Sequence, residues 1–81
     1  MLTITNTTVD RRELWHAFRQ TRDVRLRERY HCVLLVRDGR HCPDIAQLLY
    51  RDEETIRSWV HAFNEGGLSG LERATIPGRP A

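Results

Sequence analysis

The stretch from Pro43 to Phe63, PDIAQLLYRDEETIRSWVHAF, constrains the fold most, because its apolar residues recur at helical spacing in two short runs. Residues three, four and seven positions apart lie on one face of a helix, so each run predicts a helix with one buried side. The predicted inward positions are Ile45, Ala46, Leu48, Leu49, Ile56, Trp59, Val60 and Phe63. Only three or four residues remain between the two helices, which is the turn length of a helix-turn-helix.

Residues that cap helices mark the ends of this unit. Pro43 needs no N–H partner and Asp44 is acidic, and both features suit the first turn of a helix. Asp52 is expected to accept the free N–H groups at the start of the second helix. Gly66 and Gly67 are expected to end that helix, since glycine adopts left-handed backbone geometry most easily.

Two more helices are predicted upstream of this unit. The first covers residues 10–20 and is capped by Asp10, and the second covers residues 24–38, begins after Asp23 and ends at Gly39. Their predicted buried residues are Leu14, Trp15, Phe18, Leu26, Tyr30, Val33 and Leu34. The second of these helices is predicted to expose Arg25, Arg27, Glu28 and Arg29.

The expected fold class is therefore all-α, a small bundle of about four helices that contains a helix-turn-helix and ends in a flexible tail containing Pro and Gly. Residues 1–8 are predicted to be a flexible N-terminal arm, with a short strand that pairs with another copy as the alternative. Residues 9–72 are predicted to form the domain itself, in which a turn with Leu68 and Leu71 closes the core. Residues 73–81 are predicted to be a linker with a Gly-Arg-Pro sequence.

Charge is divided unevenly along the chain. All thirteen basic residues are Arg, and residues 10–40 carry nine of them against five acidic residues, a balance of +4. Residues 41–72 carry two Arg against six acidic residues, a balance of −4. Attraction to phosphate is therefore expected to come mainly from the Arg-rich helix that precedes the helix-turn-helix and from the tail.

The residues predicted to point away from the core of the second helix of the unit are polar, with little apolar bulk. A helix that reads the major groove of DNA needs such a surface. We expect Arg57, Ser58 and His61 to meet base edges, and Glu53 or Glu54 to accept a hydrogen bond from a cytosine amino group. The Gly-Arg-Pro segment can place Arg79 in the minor groove, although these residues alone favour an ordinary interdomain linker. The predicted phosphate contacts are Arg40, Arg51 and Thr55. The alternative is an ordinary solvated helix face.

Other functions find little support in the residues. The repeated His-Cys dipeptide, at His31-Cys32 and His41-Cys42, matches no common zinc spacing, and neighbouring helix residues point about 100° apart. No nucleophile-base pattern or phosphate-binding loop occurs, so we expect no enzyme activity, no cofactor or metal and no small-molecule substrate. Without a long apolar run or a signal peptide, we expect no membrane partner and a cytoplasmic, nucleoid-associated prokaryotic protein with reduced cysteines.

The order of features from Arg25 to Pro80 resembles the N-terminal DNA-binding domain of mariner-like insertion-sequence transposases. The features are the Leu-rich helix ending in Gly39, Ile45-Ala46 with Leu49, Thr55-Ile56 with Trp59, Gly66-Gly67-Leu68, Gly70-Leu71 and Gly78-Arg79-Pro80. The resemblance implies a paired-box-like helical reader of terminal inverted repeats, followed by a linker in the minor groove. In that family a second reader and a catalytic domain follow, and both would lie beyond Ala81.

Two alternatives remain open from the residues. One is a protein-interaction module, in which the acidic helix-turn-helix docks another subunit, or Leu2 and Ile4 support a homodimer. The other is a free-standing helix-turn-helix transcription regulator, whose partner is also double-stranded DNA. The turn departs from many such units at Tyr50, where glycine is common, so it must either avoid positive φ or bear strain.

Overall fold

The structure, a computed structural model, describes residues 3–73, and these residues form four helices. The helices are α1 (Arg11–Gln20), α2 (Val24–Arg37), α3 (Cys42–Leu49) and α4 (Glu53–Arg73). Residues 3–73 contain no strand, and α3 and α4 form the helix-turn-helix. The predicted all-α bundle of four helices is confirmed. The tail predicted to be flexible, after Arg73, lies outside the described residues.

Aspartate side chains cap α1, α2 and α4, as the sequence predicts. Asp10 accepts a hydrogen bond from the N–H of Glu13 at 2.7 Å, and Asp23 accepts from the first turn of α2. Asp52 accepts from the N–H of Thr55 at 2.9 Å. A cap of this kind typically contributes about 1 kcal/mol relative to alanine. Three of the four helix starts are therefore fixed by short-range sequence.

The C-terminal end of α2 is closed by a Schellman motif centred on Gly39. Gly39 has φ +93°, its N–H donates to the carbonyl of Val36, and the N–H of Arg40 donates to the carbonyl of Leu35. The left-handed residue allows both bonds to form and satisfies carbonyl groups that the helix leaves free. The predicted end of α2 at this glycine is confirmed.

The core lies where α2 packs against α1, α3 and α4, and α3 packs against α4. Its largest fully buried side chains are Trp59, Phe63, Leu14, Ile45, Ile56, Leu71, Val33, Val60 and Cys32. Full burial of one large apolar side chain contributes about 1.5–3 kcal/mol. The inward face predicted for α4 is confirmed, because all four of its apolar positions are buried.

Two side chains predicted to be buried are exposed instead. Trp15 is 44% exposed and Leu48 is 57% exposed. Leu14 takes the core-facing position of α1, and the next residue points about 100° away from it. In α3 the core face consists of Ile45, Ala46 and Leu49, so Leu48 falls outside it. Apolar spacing alone placed both residues wrongly, because each helix has room for only one inward stripe.

The last part of α4 is bent at Gly67, which has φ 62° and ψ −143°. Helical geometry resumes after the bend and reaches Arg73, and Leu71 is fully buried. The predicted break at Gly67 and the predicted closure of the core by Leu71 are both confirmed. The returning segment lies very close to the main part of α4, since a Cβ atom built on Gly70 would be 2.2 Å from the carbonyl oxygen of Ala62.

The N-terminal segment lies along α4, contrary to the expected frayed arm. The side-chain oxygen of Asn64 accepts from the N–H of Thr5 at 2.8 Å, and its amide nitrogen donates to the carbonyl of Thr3 at 3.0 Å. Ile4 packs against the chain's own core. Leu2 lies outside the described residues. An asparagine amide carries both a donor and an acceptor, so it can bond extended backbone.

Candidate nucleic-acid interface

The turn between α3 and α4 consists of Tyr50, Arg51 and Asp52, and Tyr50 occupies the left-handed region with φ 56° and ψ 42°. The N–H of Arg51 donates to the carbonyl of Ala46 at 2.9 Å, and the N–H of Tyr50 donates to that of Gln47 at 3.4 Å. This is the same Schellman geometry that Gly39 provides at the end of α2. Of the two possibilities left open by the sequence, the turn therefore takes positive φ at a residue with a side chain.

The outer face of α4 carries polar side chains along its first half. Glu54, Arg57 and His61 are exposed and Ser58 is half-buried. Their spacing of three and four residues places them on adjacent positions of one helix surface. The opposite face is sealed in the core, so α4 presents one polar surface from a firmly packed scaffold. These four residues are brought together as the sequence predicts.

Two weak polar contacts run along this outer face, an arginine–carboxylate ion pair and a histidine–carboxylate contact. Arg57 lies 3.6 Å from Glu53, and Nε2 of His61 lies 3.2 Å from Glu65, each pair being four residues apart. All four side chains are at least 48% exposed, so each pair contributes little to stability. Because the pairs are weak and exposed, Arg57 and His61 can exchange their partners for other acceptors at little cost.

A family model described as a homeodomain-like domain matches residues 23–72, from the cap of α2 to the last turn of α4. The match covers more than half of the chain. The chain belongs to the homeodomain-like family. This assignment supports a helix-turn-helix DNA-binding domain, which is the coarser part of the resemblance predicted above. Neither a curated protein nor a solved structure matches the chain significantly.

Thr55 of this homeodomain-like domain does not belong to the exposed surface. It is 3% exposed, and its N–H is used by the cap at Asp52. The hydrogen bonds from the side chain and the backbone of Thr55 lower the pKa of Asp52 below its ordinary value. The predicted phosphate contact by the Thr55 side chain is therefore wrong in this geometry, because the hydroxyl is buried inside the helix start.

Arg51 takes a structural position that the sequence did not reveal. Its guanidinium forms two hydrogen bonds with Glu28 of α2, at 3.1 and 2.8 Å, and it stacks over Trp59 with Cζ 5.7 Å from the ring centroid. The hydrogen bond with Glu28 raises the pKa of Arg51. This bidentate pair uses two of the five N–H donors of the guanidinium and offsets its positive charge. Arg51 therefore holds the turn of the domain against α2 in this structure.

Arg29 supports the same part of the homeodomain-like domain and also lies over Trp59. One of its terminal nitrogens donates to the carbonyl of Leu71 at 2.8 Å, and its Cζ lies 5.9 Å from the Trp59 centroid. Burial lowers the pKa of Arg29. Glu28 and Arg29 were predicted to be exposed, and both are half-buried. The prediction failed because their partners lie far along the chain, where helical spacing carries no information.

The remaining predicted site residues lie at the edges of the domain. Arg40 is exposed in the connection between α2 and α3, and Arg79 lies outside the described residues. Cys32 is fully buried, and burial raises its pKa to about 12. Cys42 lies at the start of α3 and donates to the carbonyl of Glu53 at 3.6 Å.

Neither a metal cluster nor a membrane-spanning helix was found in the described part of the chain. Within residues 3–73 no three His, Cys, Asp or Glu side chains come close enough together to hold a metal ion. No helix in that range combines the length and the apolar character that crossing a membrane requires.

Proposed function

We propose that α4 enters the major groove of double-stranded DNA and reads its sequence through Arg57, Ser58 and His61. The observation that carries this proposal is the arrangement of α4, whose core face is sealed while its outer face is polar and exposed. Arginine, serine and histidine side chains supply the hydrogen bonds that base edges accept or donate. Glu54, on the same face, is suited to accept from a cytosine amino group.

The charge distribution indicates how affinity and specificity are divided. Four acidic residues lie between Pro43 and Phe63, and Asp52, Glu53 and Glu54 are consecutive at the start of α4. Carboxylates there repel phosphate and weaken binding to DNA of any sequence. Affinity for the sugar-phosphate backbone must therefore come from Arg side chains outside the reading face. Arg40 is exposed beside α3 and is our proposed contact there, and Arg79 is proposed to enter the minor groove.

We propose further that this domain recognises the terminal inverted repeats of an insertion sequence, as the N-terminal part of a nucleoid-associated prokaryotic transposase. What supports this is the resemblance in the order of features from Arg25 to Pro80. Catalysis would then belong to a part of the protein beyond this chain. A transcription regulator remains the nearest alternative. The nucleotide sequence downstream of the gene distinguishes them, because a continuing reading frame that encodes a carboxylate-triad nuclease is expected only for a transposase.

The reading role of Arg57 can be tested by substitution. A binding site is first selected from randomised duplexes, and the affinities of the protein and of Arg57→Ala for the selected and a random duplex are then measured by fluorescence anisotropy. A base contact by Arg57 should contribute about 1–3 kcal/mol on the selected site alone. Arg12→Ala, which removes another exposed arginine, on α1, serves as the matched control. An equal loss on both duplexes would contradict base reading by Arg57.

A second candidate function is self-association, which a partly exposed aromatic patch favours. The patch consists of Trp15, Phe18, Val24 and His31, and it lies between α1 and α2. The rings of Trp15 and Phe18 stack at 5.7 Å, and those of Phe18 and His31 lie 5.6 Å apart. Arg19 stacks over Trp15. Tryptophan and arginine are enriched among the residues that dominate binding energy at protein interfaces.

Charge complementarity points to a second copy of the chain as the occupant of this patch. Residues 10–40 carry a balance of +4 and residues 41–72 carry −4, and the acidic region also exposes Leu48 and Tyr50. Attraction between the basic region of one copy and the acidic region of another would weaken as the salt concentration rises. Sedimentation velocity over a concentration series tests this, with Trp15→Ala as the variant. Self-association that falls in the variant and at high salt supports it, and a monomer at all concentrations excludes it.

A further inference from the structure

The end of α4 places an arginine beside the reading face. The bend at Gly67 reverses the chain, and the following turn packs against the main part of the helix. Arg73 is exposed, and one of its terminal nitrogens lies 3.7 Å from the point where a side chain on Gly66 would begin. A shallow groove of about 410 Å³ runs between the two segments, and both Ser58 and Arg73 line it.

We infer that Arg73 binds a phosphate of the DNA strand that flanks the major groove, next to the C-terminal half of the reading surface. This inference rests on the proposed DNA-binding function and adds a contact to it. The returning segment lies beside the outer face of α4. When α4 lies in the major groove of DNA, this segment would therefore face the sugar-phosphate backbone at the edge of that groove. Arg73 thus supplies a positioning contact, and Arg57 supplies base readout.

The surroundings of Arg73 leave its guanidinium available to an anion. Among residues 3–73, no carboxylate lies within 4.0 Å of it, although Glu65 lines the same groove and Glu72 is its neighbour in sequence. Glu65 is engaged with His61 at 3.2 Å. A planar guanidinium with free donors binds phosphate through two parallel hydrogen bonds. A phosphate contact by Arg73 would offset the repulsion between phosphate and the carboxylates at the start of α4.

Two glycines determine where Arg73 lies. A side chain on Gly70 would collide with the backbone of Ala62, so only glycine lets the returning segment approach this closely. A Cβ on Gly66 would lie 3.7 Å from a terminal nitrogen of Arg73, which is an ordinary contact, so only a longer side chain there would displace the guanidinium. Gly70 therefore lets the returning segment approach α4, and Gly66 leaves room for the guanidinium of Arg73 beside it.

The test compares Arg73→Gln with Arg12→Gln, which removes the same charge from α1, on the selected duplex and on a random duplex at several salt concentrations. We expect Arg73→Gln to weaken binding about five- to tenfold on both duplexes near 0.1 M salt, and to lower the slope of log K against log salt by about 1. Arg73→Lys should retain most of the slope, because the charge remains. Arg12→Gln should change neither quantity.

Gly66→Gln provides a second variant, because position 66 has helical geometry and a Cβ there makes only ordinary contact. Its longer side chain should displace the guanidinium and reproduce the loss of Arg73→Gln, while circular dichroism shows an intact fold. If Arg73→Gln binds as Arg12→Gln does while Arg57→Ala loses the selected site, the inference about Arg73 fails and the proposed function stands. A loss on the selected duplex alone would make Arg73 a base contact and would also overturn it. If the unaltered protein binds no duplex, the proposed function fails.

Discussion

Replacing Tyr50 with glycine should make the protein more stable. Tyr50 has φ 56° and its side chain is 94% exposed, so the substitution removes backbone strain without removing a packed ring. Left-handed geometry costs a residue with a side chain about 1–2 kcal/mol. Glycine also gives the unfolded chain more conformational freedom, and this lowers the stability of the folded state by about 0.4–1 kcal/mol. The free energy of unfolding should therefore rise by about 0.5–1 kcal/mol.

The stability change can be measured by urea unfolding followed by circular dichroism, with thermal unfolding as a second assay. For a domain of this size, 0.5–1 kcal/mol corresponds to a rise in Tm of about 2–8 °C. Tyr50→Ala is the first control, because alanine keeps the strain and should change stability by less than about 0.5 kcal/mol.

Gly39→Ala is the converse control, since Gly39 closes the same motif with φ +93° and open space around its Cβ position. It should lower stability by about 1 kcal/mol, through backbone strain alone. If Tyr50→Gly is less stable than Tyr50→Ala, the reasoning is refuted, because the turn then does not require left-handed geometry at position 50.

Three further predictions concern other contacts. Asn64→Ala should lower stability by about 1–2 kcal/mol and speed hydrogen exchange at residues 3–8, because it removes the hydrogen bonds that hold the N-terminal segment; unchanged exchange there would refute this docking. The lowered pKa of Asp52 stabilises the fold above the unfolded value near pH 4, and this contribution is lost as the pH falls through the folded pKa. Asp52→Asn keeps a good cap but does not titrate. The urea midpoint of this variant should therefore fall less between pH 5 and pH 3 than that of the unaltered protein. An equal fall would show that the Asp52 carboxylate does not cause the loss of stability at low pH. Cys32, with a pKa of about 12 and no exposure, should react with a disulfide reagent at pH 8 far more slowly than Cys42, and equal rates would show that the core opens readily.

Short-range chemistry explains which features could be predicted from the sequence. Asp10, Asp23 and Asp52 cap helices through atoms two or three residues away, so the sequence around each cap contains the whole interaction. Helical spacing similarly identifies the buried face of α4, because one long amphipathic run leaves a single consistent orientation. Gly39 could be predicted as a helix end for the same reason.

Contacts between distant residues could not be predicted. Glu28 and Arg51 are 23 residues apart, and Asn64 lies 59 residues from Thr5, so no local pattern relates them. These contacts changed two expectations, the exposed face of α2 and the frayed N-terminal arm, and they gave Arg51 a structural role that the sequence did not reveal. Arg73 was missed as part of the surface because its place beside α4 depends on the bend and on close approach of two backbone segments.

The most direct test of DNA reading by α4 is an NMR titration of the ¹⁵N-labelled protein with the selected duplex. Binding through the outer face should shift the backbone amides of residues 53–66 most strongly and leave those of α1 nearly unchanged. Amide shifts confined to α1 and the aromatic patch, or no shift at a concentration at which the duplex is bound, would contradict the proposal that α4 is the reading helix.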